Sequence, residues 1–293
     1  MEVGLLMLAG GIAAGAFGSI LGLGGGLLIV PLLTLGFGLP LREAVGVSLV
    51  CVIVTSSASA GVYLQRRQAN LRLGMVLELF TAAGAVVGGA VAFLIDERLL
   101  AALFALLLVY VAVTMLQALR QPAEEPATDD ETPPHAHLAG EPRADRGTRQ
   151  PGITEQDGGL VAGLGGPGYE VERLPAAALG SVGAGIASAL LGIGGGLIKV
   201  PLMHLVLGVP LRVATATSNL MIGITASASA LVYLIRGGID AYVAGPTAVG
   251  VFVGASIGSR LGHRVGQRAL RVLFVLVLVY TAIEMARRAA GIA

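Results

Sequence analysis

Two glycine-rich segments are the part of this chain whose residue types could bind a ligand. They read Gly22-Leu23-Gly24-Gly25-Gly26 and Gly192-Ile193-Gly194-Gly195-Gly196, and each interrupts a run that is otherwise apolar. Each glycine disfavours a helix by about 1 kcal/mol relative to alanine, so both segments are expected to break a helix. The helix after a break starts with free backbone N–H groups, which attract anions. The candidate substrate-binding glycines are Gly22, Gly24, Gly25, Gly26, Gly192, Gly194, Gly195 and Gly196.

The alternative role for these glycines is structural, because glycine also lets two helices cross at short distance. We favour the binding role, since both segments keep the same five-residue pattern. An alanine at Gly195 is then expected to reduce ligand binding more than it reduces stability. Two further glycine pairs, Gly84-x-x-x-Gly88 and Gly254-x-x-x-Gly258, predict close helix packing only.

Polar side chains near the glycine segments are few, which makes each of them a candidate. Lys199 is the only lysine of the chain and lies three residues after Gly196. It either attracts an anion into a cavity or extends its amine to the membrane interface. Ser48 and the pair Ser218-Asn219 lie one to two turns into the apolar segments that follow the glycines. We include all three as candidate substrate-binding residues.

Two titratable residues are candidates for proton coupling. Glu78 lies within an apolar run of the first half of the chain, and His204 follows the second glycine segment. An unpaired carboxylate at membrane depth is costly, so its presence suggests a functional role. The alternative for His204 is a buried, hydrogen-bonded side chain.

The sequence lacks the motifs of an enzyme. It contains no nucleophile elbow, no H-E-x-x-H motif and no paired metal ligands. Cys51 is the only cysteine, and a lone cysteine of this kind usually packs in the interior. We therefore expect no catalytic residue, no metal site and no cofactor.

The elements that carry these residues occur twice. Residues 15–64 align without a gap with residues 185–234, and 25 of the 50 aligned positions are identical. Two such units in a membrane protein usually form one pathway between them. The predicted organisation is a first membrane repeat over 1–119, a disordered charged linker over 120–173 and a second membrane repeat over 174–293.

Composition places both units in a membrane. Hydrophobic residues make up 55% of the chain and charged residues 13%, with a mean hydropathy of +0.83, whereas a soluble domain has about 25% charged residues. The runs 73–95, 99–119 and 213–235 can each cross a hydrocarbon core of about 30 Å as a helix rising about 1.5 Å per residue. The net charge of +1 gives no indication of nucleic-acid binding. The sequence predicts an all-α polytopic membrane protein.

Each repeat is predicted to have four or five transmembrane segments, of which the first, 4–38 or 175–208, is broken by glycine. Basic residues cluster at 66–72 in the first repeat but at 260–271 in the second, and these two loops are not equivalent in the alignment. Because basic loops stay in the cytoplasm, equivalent loops are expected on opposite faces of the membrane. We favour an inverted repeat on this ground, with a parallel repeat as the alternative.

The repeated motif resembles the TauE/SafE family of membrane transporters. The pattern L-G-x-G-G-G-x-x-x-V-P-L occurs in both repeats, followed each time by Pro-Leu-Arg and by T-x-S-A-S-A. The resemblance implies a multi-pass carrier in a bacterial or archaeal inner membrane that moves sulfur-containing anions, often with proton coupling. The long linker departs from the family pattern.

The function expected from the sequence is secondary transport of sulfite, thiosulfate or an organosulfonate, coupled to protons. A passive anion channel is the alternative, and a membrane-embedded enzyme is a more distant one. The expected partners are the small anion and the lipid bilayer, with no nucleic acid; a homodimer is left open.

Overall fold

The described part of the chain is entirely helical. The computed structural model describes residues 2–20, 26–65, 69–120, 171, 173–261 and 267–292, and these contain no β-strand. Three of the predicted site residues, Gly22, Gly24 and Gly25, lie outside the described residues. The predicted linker also lies outside them except at its two ends, so its boundaries stay a prediction.

Ten helices follow one another along the described chain, five before the predicted linker and five after it. The first five are α1 (Glu2–Ile20), α2 (Gly26–Pro31), α3 (Leu41–Gln65), α4 (Leu71–Ala92) and α5 (Glu97–Arg120). The second five are α6 (Leu174–Leu191), α7 (Gly196–Leu205), α8 (Leu211–Ile235), α9 (Ala241–Leu261) and α10 (Gln267–Ala289). A π-helical turn over Leu32–Gly36 continues α2.

Six of the described helices are long and apolar enough to cross a membrane, namely α1, α4, α5, α6, α8 and α9. The predicted run 73–95 overshoots its helix, because α4 ends at Ala92 and Phe93 caps it. Large apolar side chains on these helices point outward; Leu79 is 72% exposed and Leu106 is 68% exposed. Such an apolar exterior suits a bilayer and not water.

The two short helices fold back on the helices before them. A Cβ placed on Gly10 of α1 would lie 2.9 Å from Leu32 Cδ2, just after α2. In the same way, a Cβ on Gly180 of α6 would lie 2.6 Å from Leu202 Cδ1 of α7. In α7, a Cβ on Gly195 just before its first residue would lie 3.5 Å from the carbonyl oxygen of Ala184, so α7 meets earlier residues of α6 as it proceeds. The pairs α1–α2 and α6–α7 are therefore antiparallel hairpins, and neither α2 nor α7 is long enough to cross a membrane.

Glycines allow the closest helix contacts, as the two spaced pairs predict. A Cβ on Gly84 of α4 would collide with the backbone of Val182 in α6, and one on Gly254 of α9 would collide with the backbone of Ile12 in α1. The backbones of these helices thus touch with no side chain between them. The packing role predicted for these glycines is confirmed.

The helices α3 and α8 pack against each other and run in opposite directions. Gly46, near the start of α3, lies against the backbone of Gly238, just beyond the end of α8. Farther along α3, Ser56 Oγ donates to the carbonyl of Asn219, near the start of α8, at 3.1 Å. Since one end of α3 meets the other end of α8, the two helices are antiparallel. Their buried side chains join one core drawn from both halves of the chain.

Candidate functional site

The second glycine segment interrupts the helix, as the sequence predicts. Helix α6 ends at Leu191 and α7 begins at Gly196. Between them, Gly192, Gly194 and Gly195 have φ values of 69°, 74° and 77°. This left-handed region is strained for residues with a Cβ, so glycine is required there. We call residues 192–195 the second break.

Gly26, the described end of the first glycine segment, lies close to the second break. Ser48 Oγ of α3 lies 2.7 Å from the carbonyl oxygen of Gly192 and 3.0 Å from that of Gly26. The hydroxyl therefore shares its single proton between one carbonyl from each half of the chain. Gly26, Ser48 and Gly192, three of the predicted site residues, are thus neighbours. The hydrogen bonds of Ser48 hold Gly26 and Gly192 against α3.

Two buried serine hydroxyls flank the start of α7 without a hydrogen-bond partner among the described residues. Ser188 Oγ lies 3.5 Å from the position of a Cβ on Gly195, and Ser218 Oγ lies 3.7 Å from that of a Cβ on Gly196. Both serines are fully buried and their hydroxyls are unpaired. No side chain caps α7 at its first residue. A buried polar group left unpaired costs about 1–3 kcal/mol, so each of these hydroxyls is a candidate donor to a ligand at the start of α7.

A third buried hydroxyl, that of Ser181, is also unpaired among the described residues. Ser181 and Ser188 are seven residues apart on α6, which places them on the same face of the helix. Sequence reasoning missed both of them. Their seven-residue spacing was one signal in the sequence. A second signal was their difference from the first repeat, where the aligned positions are Gly11 and Gly18 and carry no hydroxyl.

Lys199 forms a buried ion pair with Glu78. Lys199 Nζ lies 2.6 Å from Glu78 Oε2 and donates to Thr225 Oγ1 at 2.6 Å. Thr225 in turn donates to Glu78 Oε1 at 2.6 Å. Lys199 and Glu78 are only 2% and 4% exposed, so the lysine does not extend to the membrane interface. The Glu78 carboxylate is therefore not unpaired, because it accepts hydrogen bonds from Lys199 and Thr225.

His204 does not join this cluster. It lies five residues after Lys199, and at about 3.6 residues per turn this puts it on a different face of α7. Its ring is exposed, and Nδ1 donates to the carbonyl of Val209 at 2.9 Å, which ties the end of α7 to the next loop. Asn219 meets α3 through its backbone carbonyl, which accepts the hydroxyl of Ser56.

The space around the ion pair is closed. Side chains from α4, α6, α7 and α8 surround a gap too small to admit a water molecule; they are Leu77, Ser181, Lys199, Leu202, Met203 and Met221. A ligand that reaches Lys199 therefore requires movement of these helices. The site has donors suited to an anion, but it is shut in this conformation.

Comparisons with known proteins agree with the resemblance of the repeated motif. The sequence model of the family described as "Sulfite exporter TauE/SafE" matches residues 7–285. The "Probable membrane transporter protein YunE" of Bacillus subtilis (strain 168) is 26% identical over 238 residues, which is 78% of this chain and 78% of that protein. No solved structure matches the chain.

Proposed function

Because this chain belongs to the sulfite exporter TauE/SafE family of multi-pass membrane transporters, we propose that it is a secondary transporter of a small sulfur-containing anion. Sulfite, thiosulfate and organosulfonates are the candidate substrates, and the transport is coupled to protons. The family description agrees with the expectation of a transporter in the cell membrane and not an enzyme.

The observation that carries this proposal is the pair of unpaired hydroxyls at the start of α7. Ser188 and Ser218 lie beside the second break, each buried and without a partner among the described residues. Hydroxyls and the first N–H groups of a helix all donate hydrogen bonds, and the helix dipole favours negative charge at the same point. A small oxyanion could satisfy these donors together.

The proposed pathway lies between two inverted repeats. In the proposed arrangement each hairpin, α1–α2 or α6–α7, enters and leaves the membrane on one face without crossing it. The crossings are then α3, α4 and α5 in the first repeat and α8, α9 and α10 in the second, three per repeat. Three is an odd number, so the second repeat starts on the face opposite to the first. The antiparallel contact of α3 with its aligned counterpart α8 supports the same arrangement.

Serine variants test the site. Ser188→Ala and Ser218→Ala should each slow anion flux about tenfold or more, because a hydrogen bond to a charged group contributes about 1.5–3 kcal/mol. Neither hydroxyl has a partner to lose within the described part of the chain, so the melting temperature in detergent should stay unchanged or rise. Flux is measured in proteoliposomes with labelled sulfite, thiosulfate and taurine, with and without a pH gradient.

Ser227→Ala is the matched control, since this exposed serine of α8 donates to the carbonyl of Gly223 in its own helix. Its flux should equal that of the wild type. If the variants at 188 and 218 also keep full flux with every anion, the site is wrong. Flux that ignores the pH gradient would instead favour a passive channel.

A further inference from the structure

The ion pair between α4 and α7 has the geometry of an occupied anion site. Lys199 Nζ donates to one oxygen of the Glu78 carboxylate, and Thr225 Oγ1 donates to the other, each at 2.6 Å. We call these two donors the Lys199–Thr225 cradle. A sulfonate or sulfite group also presents adjacent oxygens on one central atom, at a spacing close to that of a carboxylate. The cradle would therefore accept either group with the same hydrogen bonds.

The cradle lies next to the proposed entry point of the anion. Lys199 is three residues after Gly196, so it is about 4.5 Å farther along α7 at about 1.5 Å per residue. Ser181 lines the same closed gap as Lys199, and its hydroxyl has no partner among the described residues. An anion bound at the start of α7 thus needs only a short movement to meet the lysine, and one more unused donor lies beside it.

We infer that Glu78 is a built-in competitor for the transported anion: its carboxylate fills the Lys199–Thr225 cradle until a proton neutralises it and the anion takes its place. This inference rests on the proposed function and adds to it the step that links proton to anion. The neutral acid remains beside the lysine, and the anion replaces its charge. For a monoanion, the net charge of the buried site is then the same before and after binding.

Other charged groups do not share this role within the described part of the chain. The helices packed around Glu78 are α6, α7 and α8. Helix α6 has no titratable side chain, and α7 has only Lys199 and the exposed His204 on another face. Helix α8 has Arg212 at its beginning and Tyr233 near its end, and the Tyr233 hydroxyl donates to the carbonyl of Ala189 at 3.0 Å. The exchange therefore involves one acid and one base.

The repeat alignment shows that the cradle occurs once in the chain. The positions aligned with Lys199 and Glu78 are Ile29 and Ala248, so the other repeat has neither charge. The two repeats therefore share a single exchange site, and each transported monoanion is accompanied by one proton.

The variant Glu78→Gln removes the competitor and keeps the shape of the side chain. Binding of thiosulfate and of isethionate, whose charges do not change from mildly acidic to neutral pH, is measured on full-length protein in detergent. The wild type should bind more tightly as the pH falls. The variant should bind about tenfold more tightly than wild type at neutral pH, within the usual range of coupling between two sites, and its affinity should not vary with pH.

Transport measurements distinguish proton coupling from anion binding. In proteoliposomes the Glu78→Gln variant should still exchange internal for external isethionate, but a pH gradient should no longer drive net accumulation. Glu284→Gln is the control, because Glu284 forms an exposed pair with Arg287 at 3.1 Å and should behave like wild type. If the Gln variant is produced too poorly to measure, the pH profile of the wild type tests the inference alone.

Two negative outcomes are distinguishable. If thiosulfate and isethionate bind to the wild type with no dependence on pH, or bind equally to the Gln variant, Glu78 is a structural partner of Lys199 and the inference is wrong. If neither anion binds to any form of the protein and no flux is seen, the proposed function fails and this inference fails with it.

Discussion

At the scale of single residues, two buried charges dominate the energetics. Lys199 and Glu78 are the only charged side chains that are buried in the described part of the chain. Removing one partner of such a pair costs about 3–5 kcal/mol, whereas replacing both is often neutral. A loss of transport in a single variant would therefore mix two effects, namely weaker binding and a less stable protein.

A double substitution separates these effects. Lys199→Met alone should lower the melting temperature clearly, because it leaves the Glu78 carboxylate without its lysine. Lys199→Met combined with Glu78→Gln should recover most of the lost stability yet bind no anion in the cradle, since the cation is gone. Thermal unfolding in detergent and isethionate binding are measured on both. A single variant as stable as the wild type would contradict the structural importance of the pair.

The backbone at Gly195 changes one expectation drawn from the sequence. The sequence predicts that an alanine there reduces binding more than stability, because alanine favours a helix. The structure gives Gly195 a φ of 77°, outside the helical region, and a side chain in such a conformation is strained by about 1–3 kcal/mol. Alanine at Gly195 should therefore reduce both stability and flux, which makes the serine variants the cleaner test of the site.

At the scale of helices, glycine positions decide how closely α4 and α6 pack. Gly185 and Gly183 both lie on α6, yet only Gly185 faces α4. A Cβ on Gly185 would collide with the backbone of Thr81 in α4, whereas a Cβ on Gly183 meets nothing within 4 Å. The two positions therefore form a matched pair, with one glycine required for packing and one not.

Alanine substitutions at these positions should have opposite effects. Gly185→Ala should destabilise the protein by about 1–3 kcal/mol, the usual cost of forcing extra volume into a packed interface. Gly183→Ala should leave stability unchanged or raise it by about 1 kcal/mol through helix propensity. The melting temperatures of both variants test this prediction. An equal change in melting temperature would mean that the α4–α6 contact is looser than described.

At the scale of the whole molecule, the two possible arrangements of the repeats differ in which loops share a face of the membrane. Leu71 and Ala241 are aligned positions of the two repeats, and both side chains are exposed. An inverted repeat puts them on opposite faces, whereas a parallel repeat puts them on the same face. The proposal of a single pathway between inverted repeats depends on this difference.

Single cysteines at Leu71 and Ala241, in a Cys51→Ala background, test the arrangement. Leu71→Cys should react with a membrane-impermeant reagent from the cytoplasmic face, next to the basic residues at 66–72. Ala241→Cys should react only from the other face. Labelling of both from one face would rule out the inverted repeat.

The sequence by itself determined the class of the protein and its local breaks. Its apolar runs led to membrane helices, because a backbone in lipid must bond within its own segment. The glycine spacing led to the second break and to the close packing at Gly84 and Gly254, since glycine adopts a left-handed backbone without strain and lets two helix backbones touch. The repeated motif led to the family.

Only the tertiary structure decided which side chains meet. Lys199 and Glu78 are separated by 121 positions, and no local pattern predicts that α7 would place the lysine against α4. Ser188 and Ser218 are common residues of small-residue helices, and only their burial without a partner distinguishes them. Helix periodicity is a property of neighbouring residues, whereas the ion pair and the unpaired hydroxyls result from how helices from both halves of the chain cross.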